Sequence, residues 1–494
     1  MTALETELRV PDVPRGIEAN GINTITEGER KGTPRELFLP WFASNVGVFG
    51  ISYGAFCLAY GLSVAQSVIA AAIGLLLSFG AVGIVATAGP RGSVPTMVLS
   101  RAAFGVRGNR VPSALSWLLM VGWETVLVVL GTLATATVLN ELGVHADNLV
   151  KALSLVVIAG MTVAAGVAGF DLVMRLQGFI TVVAGVLTVV FIALTLDEIH
   201  WSTATSLPGG TTESFIGVIV LVATGFGFGW VNVSADYSRY LPRGSSPRGI
   251  FGWTLFGGAI GPLVLLVFGL LLAGSSKGLV DKISADPVGA LAVLLPTWFL
   301  VPFALVVILG LVAAAVMDIY SSGLALLSVG VPIPRYVAAT IDGAIMLVLA
   351  TVVVFFTDNF LAQFTGFLIT LGVPIAAWCG VMLADIALRR RDYAEPDLYT
   401  PAGRYGNVRW LPVLAVVVAT GIGWGLVTNG SASWLTWQGY LLGPFGLGGK
   451  QGAWAYANLG VLIALAIGFL ATLLFSRAAV RAEEAAPLPA PATV

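Results

Sequence analysis

The sequence predicts an all-α polytopic membrane protein with about twelve spans, and three observations carry that prediction. Apolar residues make up 57% of the 494 positions and charged residues only 10%, against roughly 25% charged in soluble domains. Mean hydropathy is +0.92. The apolar residues also fall in runs of about 20, the length that crosses a bilayer.

Taken in order, residues 1–36 are polar and mixed in charge, with no apolar run before Leu37. They read as a cytoplasmic tail with no cleavable signal. Runs near 38–62, 65–88, 111–139, 149–169 and 173–196 make a first five-span group over 37–196. Runs near 213–234, 248–273, 298–329, 336–357 and 360–387 make a second over 213–387. The eighth is long enough to tilt or bend. A basic cytoplasmic loop over 388–410 leads to two additional helices within 411–476, near 408–428 and 452–475. The tail 477–494 ends in an Ala/Pro-rich stretch, 483–494, that reads as disordered.

Orientation follows from Lys and Arg, which concentrate in cytoplasmic loops. With the N-terminus inside, all of the 25 basic residues except Lys151, Lys277, Lys282 and Lys450 fall on the cytoplasmic side, Arg9 and Arg15 among them. The opposite loops collect Glu141, Asp147, Asp197, Glu198, Glu213, Asp281, Asp286 and Asp358. An odd number of spans would scramble this bias. The expectation is a multi-pass protein of the plasma membrane with both termini cytoplasmic. Trp41, Trp201, Trp298, Trp410, Trp434 and Trp437 lie near the expected faces, where tryptophan anchors in the interface.

Ionisable groups are expensive in hydrocarbon and point to function. Asp342 and Asp385 lie within two turns of the cytoplasmic face, near Arg335 and Arg389–Arg391, so structural pairing is expected. Glu124, mid-way along the third span, and Asp318 in the eighth have no basic residue within a turn or two. A buried acid without a cation favours its neutral form, as a proton carrier must. Both are candidate proton-coupling residues, with hydrogen-bonded packing as the plainer alternative.

Glycine and asparagine interrupt two spans. The first carries Asn45, Gly47, Gly50 and Gly54; the sixth carries Gly225, Gly227, Gly229 and Asn232. Freed backbone groups are tolerated in a membrane where they line a cavity, and paired interruptions in two halves mark the site of an inverted-repeat transporter. Close helix packing is the alternative for the glycines. Spans one and six are five apart, as are three and eight. Trp123 adjoins Glu124, and Phe226, Phe228 and Trp230 flank the sixth-span glycines. Aromatic faces beside amides and carboxyls suit a planar, hydrogen-bonding heterocycle.

Other classes are excluded. Two cysteines and two histidines, Cys57, Cys379, His145 and His200, have no ligand spacing, so no metal and no cofactor is expected. No basic tract offers a nucleic-acid surface. GFGFG lies inside an apolar span, and GPFGLGGKQG has Pro444 and Gln451 where a phosphate loop needs Gly and Ser or Thr. No nucleophile–base pair or repeated charge ring supports an enzyme or a channel.

The chain resembles the nucleobase:cation symporter family, the cytosine, purine and allantoin permeases, and within it the cytosine/purine branch. The resemblance rests on GIEANGINTITEGERKGTPRELF, WFASN, GPRGSVPTMVLSRAAFGVRGN, SADYSRYLPR, DIYSSGLALLSVG and LADIALRRRDY. It implies the five-plus-five inverted-repeat fold with two extra helices and an importer of a small heterocycle coupled to a cation. It implies that a base stacks on Trp123 and on Trp230, with Phe226 and Phe228 as competitors for the second ring, and that Asn45, Asn232 and Asp318 supply polar contacts. Glu124 would carry the proton or bind the ring edge. Relatives often carry Asn where this chain has Leu127 and Asp318. Sodium-coupled members place hydroxyls where it has Ala313, Ala314 and Ala315, which favours the proton. The particular base stays open, with allantoin, a hydantoin, thiamine or pyridoxine as alternative cargo and sodium as alternative ion.

Overall fold

The computed structural model describes residues 17–276, 278–357, 360–429 and 433–486, with the side chains of 285 and 360–365 also outside the description. The sequence expectations on Arg9, Arg15, Lys277, Asp358 and residues 487–494 therefore lie outside the described residues. Every regular element among the described residues is helical.

Nine of these helices are long and apolar enough to cross a bilayer. They are the second to tenth spans, Val64–Gly92, Arg110–Glu141, Asn148–Ala168, Phe170–Glu198, Thr212–Ser238, Pro247–Ser275, Thr297–Val329, Arg335–Phe356 and Gly366–Leu388. The first span is a bent pair, Pro34–Ala43 and Val48–Leu58, meeting at 68°. The eleventh, Trp410–Gly425, and the twelfth, Leu459–Phe475, are shorter. Local chemistry sets the ends. Ser63 caps the second span by accepting from Gln66 N, Asp147 caps the fourth by accepting from Val150 N, and Gly330 ends the eighth in the left-handed conformation.

The packing shows the internal repeat. Spans two and seven, three and eight, and four and nine pack against each other. Further contacts come in matched pairs: one on seven with six on two, five on eight with ten on three, and three on nine with eight on four. Exchanging each span with the one five places later maps these contacts onto one another. An odd repeat of five spans inverts its second copy. The twelfth span packs on the tenth and eleventh, outside this set.

One face gathers the basic residues, and it is more folded than its polarity suggests. Residues 20–25 of the N-terminal segment are packed in, with Ile22 and Ile25 buried. Glu18 lies beside Arg239 (3.6 Å) and Arg335 (3.7 Å), accepts from Tyr320 Oη at 3.2 Å and from Tyr240 Oη, and receives Phe170 N at 2.8 Å. This single carboxylate ties the N-terminal segment to the basic ends of spans five, six, eight and nine.

Several expectations are corrected. Trp41 is no interfacial anchor: it is fully buried and packs edge-on against Trp230 and Tyr237. Trp201, Trp298, Trp410, Trp434 and Trp437 remain exposed. Asp342 does not pair with Arg335, whose guanidinium donates to the carbonyls of Gly166 and Val167. Asp342 instead accepts from Trp117 Nε1 at 2.7 Å and Ser322 Oγ at 2.8 Å. Asp385 does pair, with Arg389 Nε at 2.7 Å. The start of the stretch expected to be disordered is helical, Arg477–Ala485. Its Glu483 is buried between Arg389 (2.8 Å), which it shares with Asp385, and Arg409 (2.5 Å), for which it is the counter-charge.

Glu483→Ala is expected to lower the melting temperature in mild detergent, since breaking a buried ion pair costs up to about 3–5 kcal/mol. A melting temperature equal to wild type, read by intrinsic fluorescence, would contradict this docking.

Candidate binding site between the two helix interruptions

The first span unwinds over residues 44–47. Ser44 Oγ donates to Pro40 O at 2.7 Å, a side-chain bond that competes with helix continuation. The Asn45 amide N–H turns back to Phe42 O, which frees the Trp41 carbonyl from its usual partner. Asn45 Nδ2 caps that carbonyl at 2.8 Å. Gly47 is extended, and the helix resumes at Val48.

In the sixth span the helix stops at Phe226, whose backbone (φ −120°, ψ −101°) is not helical. It resumes over Gly227–Trp230, tightens to a 3-10 turn at Val231–Val233, and ends with Ser234–Ser238. This interruption lacks the sharp bend of the first. The two are joined directly: Trp230 Nε1 donates to Asn45 Oδ1 at 3.2 Å.

Between them lies a cavity with about 70 Å³ open to water-sized molecules. A single buried water needs about 10–15 Å³ by that measure, so the space suits one small ring. Asn45, Trp123, Phe226, Trp230 and Asp318 line it, together with Tyr53 and Val288. Glycines shape the wall. A Cβ on Gly225 would come 2.2 Å from Tyr53 Oη, and one on Gly229 3.1 Å from Trp123 Nε1. Gly54 and Gly227 serve helix packing instead, because a Cβ there would meet the backbone of Leu270 at 2.4 Å or of Ser78 at 2.5 Å.

Three residues expected at the site stand outside this lining. Asn232 Nδ2 donates to Ser116 Oγ at 2.7 Å, away from the cavity. Phe228 is buried elsewhere in the core. Glu124 is fully buried outside the lining, and neither of its carboxyl oxygens has a hydrogen-bond partner. Asp318 Oδ2 also lacks one.

The sequence reading missed Tyr53, Val288 and Asp236. Tyr53 stands two turns beyond Asn45 and meets Phe226 with ring centroids 4.7 Å apart, a contact that spacing could have suggested. Val288 lies in a connection, on the segment that Ser52 Oγ holds by donating to Pro287 O at 2.8 Å. No sequence signal marks it. Asp236 accepts from both Thr96 N and Thr96 Oγ1 at 2.8 Å, which fastens the first basic-face loop to the sixth span.

Different elements border the cavity toward the two faces. Val288 and its segment line it on one side, and toward the basic face Trp41, Tyr237 and Tyr320 pack together, with ring centroids of Trp41–Tyr237 at 5.5 Å and Tyr237–Tyr320 at 5.9 Å. Glu18 lies beyond them.

Interrupted first and sixth helices around a small mid-membrane cavity define a transporter of the five-plus-five inverted-repeat class. Residues 24–443 match the family described as permease for cytosine/purines, uracil, thiamine, allantoin, and the chain belongs to that family. It is a permease and not an enzyme. The putative purine-cytosine permease YxlA of Bacillus subtilis is 23% identical over 82% of this chain and 86% of its own length. The purine-cytosine permease FCY2 of Saccharomyces cerevisiae is 23% identical over 90% of this chain and 85% of its own. The solved structure of Mhp1, a nucleobase-cation-symport-1 family transporter in a closed conformation with bromovinylhydantoin bound, superposes with a TM-score of 0.68 at 20% identity, covering 96% of this chain and 98% of that one.

Base–ring stacking contributes about 1–3 kcal/mol per ring, so Trp123→Ala and Trp230→Ala should each weaken binding of tritiated cytosine or hypoxanthine by about 5- to 150-fold. Equilibrium binding to purified protein measures this. Unchanged affinity in both variants would remove the cavity as the binding site.

Proposed function

We propose that this permease imports a nucleobase, cytosine or a purine, together with protons moving down their gradient. One observation carries the reading: Trp123 and Trp230 border a ring-sized space whose polar edge is Asn45 and Asp318. That arrangement would stack a heteroaromatic ring and hydrogen-bond its rim, with Phe226 as a further aromatic face. The family description and the purine-cytosine permease relatives support the substrate class. Phe228 and Asn232 act in this reading by packing, and Glu124 by holding the coupling proton.

Two features favour the proton over sodium. Hard cations are held by oxygen ligands, and Ala313, Ala314 and Ala315 bring no side-chain oxygen to the eighth span. Buried Gln177 also donates Nε2–H to the Ala313 carbonyl at 2.7 Å, engaging an oxygen that a sodium ion would need. In addition, Glu124 and Asp318 form no ion pair among the described residues, and three of their four oxygens have no hydrogen-bond partner. An unpaired carboxyl at that depth is where a transported proton can reside.

The basic face is assigned to the cytoplasm of a plasma-membrane protein, with both termini on that side. The two repeats are assigned to 37–196 and 213–387, with 411–476 as the added pair. Alternating access then consists of opening at the Val288 segment or at the Glu18 cluster, never at both.

Allantoin, a hydantoin, thiamine or pyridoxine forms the second reading, favoured by Leu127 and Asp318 where asparagine is common in relatives, and by the range of cargo in the family description. Uptake of labelled cytosine, adenine, hypoxanthine and uracil into cells, with the other heterocycles as competitors, separates the two. The expected result is saturable base uptake that collapses with a protonophore and ignores the sodium gradient. Glu124→Gln is expected to leave uptake insensitive to external pH. Sodium-dependent uptake, or a Glu124→Gln variant with the wild-type pH profile, would refute the coupling assignment.

A further inference from the structure

Around the Trp123 wall, three carboxyl groups from three spans come together, and among the described residues none of the three is ion-paired. Asp318 stands at the cavity edge on the eighth span, Glu124 lies outside the lining on the third, and Asp342 sits on the ninth. Glu124 is within electrostatic reach of both aspartates. All three are buried.

The hydrogen bonding is uneven. Asp342 accepts from two neutral donors, Trp117 Nε1 at 2.7 Å and Ser322 Oγ at 2.8 Å. Glu124 accepts from none, although Ser322 stands within interaction range of its carboxyl. The Ser322 hydroxyl is turned to Asp342. Donors given to one acid stabilise its ionised form, while an acid without donors is stabilised by keeping its proton.

Depth orders the groups. At 1.5 Å per residue, Trp117, Ser322 and Asp342 each lie about 10 Å from the basic-face end of their helices, and Glu124 about 21 Å. Helical side chains lean toward the helix N-terminus, which for the third span is the basic face. Glu124 therefore leans from cavity level toward Ser322.

We propose that Asp342 is a second station for the coupling proton, reached from Glu124 through the Ser322 hydroxyl and held in position by Trp117. This rests on the proton-coupled reading above. In the step, the Glu124 O–H bond breaks and its proton goes to Ser322 Oγ, while the hydroxyl proton of Ser322 goes to Asp342 Oδ2. Ser322 ends neutral, Glu124 ends ionised and Asp342 protonated. One proton has moved toward the basic face and the total charge is unchanged. From the other packed elements the charged neighbours are few. Asp318 faces the group from the eighth span, and Lys151, at the far end of the fourth, is that helix's only titratable group. On its own helix, Arg335 lies two turns toward the basic face and is engaged by Gly166 O, Val167 O and Glu18.

A structural role alone would not require an acid. Asparagine could accept from Trp117 and pair with Ser322 without adding a third carboxyl to a cluster that holds no ion pair among the described residues.

The test uses the full-length protein reconstituted in liposomes loaded with pyranine. An equimolar mixture of cytosine, adenine, hypoxanthine, uracil and allantoin is added outside, and internal acidification is followed. Counterflow of the same labelled mixture, which needs no net proton movement, is measured in parallel. Asp342→Asn and Ser322→Ala are each expected to slow base-driven acidification by about tenfold or more while counterflow persists, and Ser322→Thr is expected to restore it. Acidification at the wild-type rate in Asp342→Asn and Ser322→Ala would overturn the relay and leave the proton-coupled reading standing. Loss of counterflow together with acidification in both would show a structural role and overturn the relay as well. Wild-type vesicles that transport the mixture without acidification would overturn the proton-coupled reading itself, and the relay with it.

Discussion

The site depends on one side chain, the amide of Asn45. A helix interrupted inside a bilayer leaves backbone groups that water cannot reach, and each must find a partner in the protein. Asn45 resolves this twice. Its Nδ2 caps the Trp41 carbonyl freed by the first interruption, and its Oδ1 receives the indole N–H of Trp230 beside the second. Few other side chains carry a donor and an acceptor this close together. Aspartate would lose the donor, and leucine would lose both. The amide thereby couples the two interruptions, and Trp41 packs edge-on against Trp230 to hold the same junction from below.

The rest of the bundle frames that junction. Spans three and eight pack against each other and bring Trp123 and Asp318 to the cavity, while the glycines at 225 and 229 let rings approach the interrupted backbone. The side toward the basic face is polar and aromatic, through Glu18 and the Trp41–Tyr237–Tyr320 ring cluster. The other side is lined by a short segment held by Ser52. The polar side contains breakable ion pairs and hydrogen bonds. A transporter needs such contacts where it must open, because packed apolar cores do not separate reversibly at low cost.

Hydropathy made the fold legible, since lipid requires continuous apolar helices and leaves a one-dimensional record of them. The repeat was legible too, because the interruptions and the mid-span acids recur five spans apart. Facing was not legible. Trp41 sits at the depth of an interfacial anchor, and only the packing of spans one and six shows that it points inward. Asn232 and Phe228 share a span with Trp230 but turn to other neighbours, because positions two apart on a helix point about 200° away from each other. Asp342 stands two turns from Arg335 in sequence, yet that guanidinium is taken by carbonyls of the fourth span and by Glu18. Composition likewise hid the docking of Glu483, whose partners Arg389 and Arg409 lie far from it in sequence.

We propose that the Asn45-braced cavity holds the transported molecule. An electron cryo-microscopy structure of the full-length protein with saturating cytosine or hypoxanthine tests it most directly. The expected result is ring-shaped density against Trp123 and Trp230, with polar edges toward Asn45 and Asp318. A bound base seated elsewhere in the bundle, with this cavity unchanged, would contradict it.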